Sequence, residues 1–311
     1  MGQLSLREAD RVTVTVLVDN YLDLFLNESR GPMRRAPLPA DWTLTPVAEH
    51  GLSVLVDVDC GATTHTILLD AALTPGTLLN NLRVCGRDLS RTEAIVVSHG
   101  HVDHCGGLLA AAGLAPCGCP LIAHPDVFRP RRFPGQHNSF LPVVDPAALH
   151  EAGADIQALN DPSAWCSDLV GVSGEIARST AFETGFPGAQ IELDGAWQTD
   201  TFRDDQAIVL QVRDQGLVVI SGCAHAGIIN TVRHAQDITG VTKIHAIIGG
   251  FHLTGPGFEP RIQATIEEMR ALAPSYIVPM HCTGWRAINA FATAMPDQFF
   301  LNSVGTSYVF A

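Results

Sequence analysis

Three histidines and an aspartate fall within six consecutive positions, in Ser98-His99-Gly100-His101-Val102-Asp103-His104. The residues before them, Glu93–Val97, form a short apolar run rich in β-branched side chains, which predicts a buried strand that stops at Ser98. The following stretch, Asp103–Ala112, is predicted to be helical. A strand therefore delivers four polar donors to the start of a helix, and the chain must fold so that a site stands on the rim of a sheet. In an extended or turning segment His99 and His101 project the same way, while Asp103 and His104 address a second point. Imidazole nitrogen and carboxylate oxygen are ligands for zinc, and equally for manganese or iron. Structural zinc sites tend to be closed and sulfur-rich. This open, imidazole-rich set points instead to catalysis, with a metal that lowers the pKa of water to roughly 7.

The pattern on either side is regular. Val12–Val18, Leu52–Val58 and Thr66–Leu69 read as strands, the last two separated by a turn at Gly61. Ala207–Val212 and Leu217–Ser221 read as a hairpin through Asp214-Gln215-Gly216. Then come a helix over 226–238, a strand at Ile244–Ile248, a helix with Ile262, Ile266 and Met269 on one face, a strand at Tyr276–Val278 and a helix from Gly284. Strand pairs followed by strand–helix alternation predict an α/β chain of two mixed β-sheets flanked by helices, an αββα sandwich. A doubly wound parallel sheet competes, but no glycine-rich dinucleotide fingerprint follows the first strand. The chain reads as a single domain, 1–311, with an irregular lid or insertion at about 125–200. Within that region Pro125–Pro146 holds Pro130, Pro134, Gly135, Pro142 and the basic cluster Arg129, Arg131 and Arg132, and Asp161–Gln198 is rich in glycine.

Composition bounds the partners. Hydrophobic residues make up 46% and charged residues 16% of 311 positions, which is a packed core and not a disordered chain. A net charge of −13 disfavours nucleic acid and anionic membranes as partners. A small anionic substrate stays open, because a bound metal reverses the local sign. No apolar run reaches membrane-spanning length, and Met1–Val18 lacks the shape of a signal peptide. The eight cysteines are scattered, and Cys117-Gly118-Cys119 has no second pair at zinc-finger spacing. Reduced, structural cysteines and a cytoplasmic location are the expectation.

His-x-His-x-Asp-His after a strand, as His99 to His104, resembles the signature of the metallo-β-lactamase fold superfamily. The resemblance implies one metal on the first two histidines and a second on the aspartate and the last histidine. A more specific likeness spans most of the chain. Val16-Leu17-Val18-Asp19-Asn20, Asp204-Asp205-Gln206, Ser221-Gly222-Cys223-Ala224-His225, Gly249-Gly250-Phe251-His252-Leu253 and His281-Cys282-Thr283-Gly284 resemble the subgroup that includes the dihydropterin-ribofuranosylaminobenzene phosphate synthases. By resemblance His281 completes the second metal with Asp103 and His104. The superfamily usually adds a histidine and a bridging aspartate in a Gly-Asp turn. Here Asp204-Asp205 stands roughly in the first place and Ser221-Gly222-Cys223 in the second. The third ligand of the first metal is then His225, with Asp205 and Cys223 as alternatives. Leu68-Leu69-Asp70-Ala71-Ala72 departs as well, since the family usually has glycine two residues after that aspartate. Asp70 is a candidate to hold a ligand histidine, or else a turn aspartate.

His225, His252 and His281 each follow a predicted strand, where side chains converge on one rim of a sheet. His252 has no clear coordination slot and is the candidate, with Asp103, for acid–base work. Asn20 either orients substrate or makes a local turn. Arg129, Arg131 and Arg132 either grip an anion from a lid or are exposed solubilising charge, and Glu183 is a further residue that could reach the pocket. No Gly-x-Ser-x-Gly elbow occurs. The expected function is a metal-dependent hydrolase that uses activated water on an ester, phosphoester, lactone or amide, with one or two Zn2+ per chain, or Mn2+ or Fe2+. The alternatives are a transferase of the pterin phosphate synthase type and a non-catalytic metal-dependent binding protein.

Overall fold

The computed structural model describes residues 3–133 and 144–311. Its larger sheet has eight strands in the order Met33–Arg34, Ser307–Phe310, Arg11–Val18, Ser53–Cys60, Thr63–Leu69, Thr92–Val96, Cys119–Ala123 and Ala154–Ala158. The first four pairings are antiparallel and the last three parallel. The facing sheet runs Ser163–Trp165, Val170–Val172, Ala207–Val212, Gly216–Ser221, Ile244–Gly250 and Tyr276–Met280, with Glu8–Ala9 beside Ala207–Val212. A small third sheet joins Ala196–Thr199, Gln190–Leu193 and Arg131–Arg132.

Side-chain alternation assigns each strand residue to a layer. Val12, Val14, Val16, Val54, Val56, Ile67 and Val96 meet Ile208, Leu210, Ile220, Ile248 and Val278 in one cluster between the sheets. Their neighbours Leu17, Leu55, Leu68 and Ile95 turn the other way, onto helices Pro75–Val84 and Leu108–Leu114. Val209, Val219 and Ile247 do the same on the second sheet, against Ile228–Thr239, Ile262–Leu272 and Trp285–Ala294. Strands covered on both faces are apolar on both faces. The αββα sandwich is therefore the observed architecture.

Two expectations are corrected. The helix expected over Asp103–Ala112 is two pieces, Val102–Cys105 and Leu108–Leu114. The break falls at Gly106-Gly107, where a Cβ would lie 1.8 Å from the Leu73 carbonyl oxygen and 2.2 Å from that of Ala71. Only glycine lets the Asp70–Leu73 turn come this close. The region at about 125–200 is also more regular than expected. Helix Pro146–Glu151 leads into Ala154–Ala158, which extends the large sheet, and Ser163–Trp165 and Val170–Val172 extend the second. Pro134, Gly135 and Pro142 lie outside the described residues. Among the described residues no helix is long and apolar enough to cross a membrane.

Candidate metal centre

Three parallel strands of the second sheet, Gly216–Ser221, Ile244–Gly250 and Tyr276–Met280, end on one rim. His225, His252 and His281 stand in the loops that leave them. The strand Thr92–Val96 brings His99, His101, Asp103 and His104 to the same place from the first sheet. Ser221-Gly222-Cys223 can cross beneath because a Cβ on Gly222 would meet Ser98 Oγ at 2.1 Å. The sequence-predicted ligands converge into two adjoining sets. His99, His101 and His225 offer donor atoms within 4.8 Å of one another, and so do Asp103, His104, Cys223 and His281. His225 Nε2 is 3.2 Å from His99 Nε2, and His281 Nε2 is 3.2 Å from His104 Nε2. The rings of His99 and His104, one from each set, are 4.2 Å apart between centroids.

Hydrogen bonds fix which way these rings point. His104 Nδ1 lies 2.6 Å from Asp70 Oδ2, so it carries the proton donated to that carboxylate and turns Nε2 inward. Asp70 also accepts from the Ser98 amide and hydroxyl, at 2.7 Å each. His281 is held by Asp19, which accepts from its amide at 2.9 Å. Asn20 donates to the His281 carbonyl at 3.1 Å and lies 3.2 Å from its Nδ1. Asp205 accepts the Ala226 amide at 2.8 Å and so pins the loop that carries His225. Asp204 accepts the Gly100 amide at 2.8 Å and does the same for the first cluster.

The electrostatics suit cation ligands. Burial, and then the neighbouring histidines, push His99 and His225 well below the usual imidazole range. Burial and Arg131 hold His101 down at about 3. These three are neutral, with lone pairs free for a cation. His104 differs: burial alone would lower it, but the Asp70 and Asp103 carboxylates raise it to about 9, so without a metal its Nε2 keeps a proton that an arriving cation would displace. Burial works against charge on Asp103, and His104 and His281 outweigh it and keep the carboxylate ionised. The Nε2 of His101 and the Nδ1 of His225 and of His252 are enclosed without a hydrogen-bond partner. Enclosed, unpaired nitrogens are costly, and a metal ion in the centre would satisfy His101. By donor type, convergence and tautomer, the residues fit a metal of the zinc class.

The structure redistributes several candidates. Cys223 Sγ is 3.2 Å from His104 Nε2, which places it in the Asp103–His281 set and not as third ligand beside His99 and His101. His225 stands beside them instead, and also within reach of Cys223 and His252. Asp205 is not in either set; burial raises its carboxyl to about 7, and it braces a loop. Asn20 faces His281, on which both ends of its amide group fall. His252 is not idle: it falls within ligand reach of Cys223 and His225, with 4.3 Å between its ring centroid and that of His225. Glu183 accepts the Ile229 and Asn230 amides at 2.9 Å each and caps helix Ile228–Thr239. His50 was missed in the sequence; it stacks 5.3 Å from His281 and lies 3.6 Å from Asp103. Its isolated position, 49 residues before the cluster, carries no spacing signal.

Phe133, Phe186, Phe202 and Phe258 wall the His101–His225–His252 side, with Phe202 stacked on His225 at 4.3 Å and Phe258 at 4.5 Å from His252. A pocket of about 10 Å3 between His225, His252, Glu183 and Phe258 has room for about one water. The far larger cavity of about 730 Å3 lies elsewhere, between the 22–46 segment and Ser303–Ser307, and none of these histidines lines it. One expected result concerns Asp70. Asp70→Asn keeps the shape but loses the anionic acceptor for His104, so metal affinity at that set falls about 10–100-fold. Competition with a chromophoric chelator measures it, and unchanged affinity would show that Asp70 only braces the turn.

The family model described as the metallo-beta-lactamase superfamily matches residues 48–158. The chain is 30% identical over 261 residues to the 7,8-dihydropterin-6-methyl-4-(beta-D-ribofuranosyl)-aminobenzene-5'-phosphate synthase of Methanocaldococcus jannaschii, covering 81% of this chain and 87% of that one. It is 29% identical over 258 residues to the uncharacterized protein MJ0448 of the same organism, covering 83% and 92%. Among solved structures, the fold is shared with Tm1679, a metal-dependent hydrolase of the beta-lactamase superfamily, at a TM-score of 0.73 and 23% identity over 95% of this chain and 98% of that one. Signature, sandwich and the likeness over most of the chain agree: this chain belongs to the metallo-beta-lactamase superfamily.

Proposed function

We propose that the protein is a metal-dependent hydrolase acting on a small, anionic ester, phosphoester, lactone or amide. The observation that carries this reading is the pair of adjoining donor sets, His99–His101–His225 and Asp103–His104–Cys223–His281, at one sheet rim. Imidazole, carboxylate and thiolate together suit Zn2+ first, with Mn2+ or Fe2+ as substitutes. When bound, such a metal supplies a Lewis acid and brings the pKa of water near 7. The rest is the work of side chains. Asp103, held ionised by His104 and His281 and 16% exposed, can accept a hydrogen bond from the attacking water and orient it. His252 carries an enclosed, unpartnered Nδ1 beside the phenylalanine wall, where it can give a proton to the leaving group. Asp70, Asn20 and Asp204 hold the donors at fixed angles. The phenylalanines keep bulk water from the reacting bond.

A second reading, a transferase with an organic second substrate, is favoured by the 30% identity to the synthase. The test is protein purified without chelator, assayed for metal and for turnover of an ester, phosphoester, lactone and amide panel, with and without added nucleophiles. Metal-dependent turnover with water alone is expected. Dependence on a second organic substrate would establish the transferase, and negligible metal after attempted reconstitution would overturn both readings.

A further inference from the structure

Far from the histidine centre, His65, Glu93 and Cys166 bring an imidazole, a carboxylate and a thiol within 4.8 Å of one another. They come from three separate places. His65 lies in strand Thr63–Leu69 and Glu93 near the start of the neighbouring parallel strand Thr92–Val96. Cys166 lies in the turn between Ser163–Trp165 and Val170–Val172, in the opposite sheet. Glu93 stands near the start of this strand and His99 three residues past its end, up to about 20 Å apart at strand rise. Neither His65 nor Cys166 touches the histidine centre. His65 is 8% exposed and its Nδ1 lies 2.8 Å from Glu93 Oε2.

The turn that presents the thiol is unusual. Cys166, Ser167 and Asp168 have φ of 54°, 59° and 63°, three successive side-chain-bearing residues in the left-handed region. Each costs on the order of 1 kcal/mol relative to a right-handed conformation. Arg7 holds the turn in this form, donating its amide to the Asp168 carbonyl at 2.8 Å and its guanidinium to the Ser167 carbonyl at 3.2 Å. Backbone strain collects where a side chain must be presented in one direction, as at a ligand clamp.

We propose that His65, Glu93 and Cys166 form a further metal site, distinct from the histidine centre, that takes a zinc-class divalent cation and clips the two sheets together. Sulfur, nitrogen and oxygen donors in one set select zinc over calcium or magnesium, which take oxygen. Zinc at 2.0–2.3 Å from each ligand holds donors about 3.3–3.8 Å apart, so closing the set takes shifts of about an ångström. Glu93, with a side chain 44% exposed, leaves the fourth position to water and gives the ion its way in. Binding exchanges the Cys166 thiol proton, released to solvent, for a sulfur–metal bond; the proton that His65 Nδ1 shares with Glu93 moves to the other ring nitrogen, and that hydrogen bond gives way to two ligand bonds. No electron is transferred. Burial and the Glu93 carboxylate push the free thiol up to about 12, so near neutrality the proton leaves only as the ion arrives.

The test is a Zn2+ titration of the full-length, chelator-stripped protein against a chromophoric competitor. Wild type is expected to bind one equivalent more than Cys166→Ala, and Zn2+ is expected to raise its Tm more. His65→Gln, which leaves the strained turn intact, is expected to lose the same equivalent should Cys166→Ala fail to fold. His101→Ala is expected to keep it, which separates this ion from those of the histidine centre. In a Cys223→Ser background, Co2+ is expected to give a thiolate-to-metal absorption band that Cys166→Ala removes. Equal stoichiometry in wild type, Cys166→Ala and His65→Gln, or a cobalt band unchanged by Cys166→Ala, would overturn the proposal.

Discussion

His101→Ala and Asp103→Ala are each expected to reduce turnover by about 10³-fold or more while leaving a cooperatively folded protein, a loss of roughly 4 kcal/mol of transition-state stabilisation. The two residues sit on opposite donor sets, so either change opens one half of the centre. Neither supports the core. His101 packs edge-on against His99 and Phe202 at the rim, and Asp103 is partly exposed among polar partners, His50, His104 and His281. The same logic separates the loop histidines. His225→Ala and His281→Ala are expected to lower metal content, because their Nε2 atoms are 3.2 Å from His99 and His104. His252→Ala is expected to lower turnover at nearly unchanged content, since both donor sets are complete without it. Metal analysis beside kcat on the five variants decides it. Retained metal in His225→Ala with loss in His252→Ala would exchange the two roles, which the position of His252 within reach of Cys223 allows. Unfolding of both His101→Ala and Asp103→Ala would mean that the metal is structural.

The parts legible in the sequence were those with a local signal. Strands such as Arg11–Val18 and Ile244–Gly250 are buried on both faces and read as apolar, β-branched runs. The cluster His99–His104 is compact enough to be a motif by itself. Cys119–Ala123 has a proline second in the strand, and Ser307–Phe310 is four residues long with alternate positions half-buried; neither stands out locally, although both pair into the large sheet. The supporting shell was legible only in outline. Asp70 was a candidate partner of a ligand histidine, and that is where it lies. The assignment of Cys223 to one donor set and His225 to the other depends on how the turn over Gly222 docks on Ser98, a contact across 124 residues that no spacing rule encodes.

Arg131→Met is expected to destabilise the fold by about 3–5 kcal/mol, whereas Arg129→Met, at an exposed position, is expected to change stability by about 0.5 kcal/mol or less. In the sequence the two arginines look alike, members of one basic cluster in a proline-rich stretch. Solvated charge describes Arg129. Arg132 lies over the Trp197 ring at 4.2 Å. Arg131 is different: it is 3% exposed and its Nε lies 2.8 Å from Asp200 and its Nη2 2.6 Å from Asp204. Burial would lower its pKa, but Asp204 and then Asp200 raise it, so the guanidinium stays charged. Removing it strands two buried carboxylates, and burial already pushes Asp200 upward with the arginine in place. The cost falls near the metal centre, because Asp204 holds the Gly100 amide and a Cβ on Gly100 would lie 2.4 Å from Arg131 Nη1. Arg131 is thus the counter-ion that lets a carboxylate hold the first histidine pair in place. Urea unfolding at neutral pH measures the loss. Adding Asp200→Asn and Asp204→Asn to Arg131→Met removes the stranded charges and is expected to recover part of it, since a buried pair replaced on both sides costs less than one broken on one side. A triple variant no more stable than Arg131→Met would place the cost in lost packing and not in uncompensated charge.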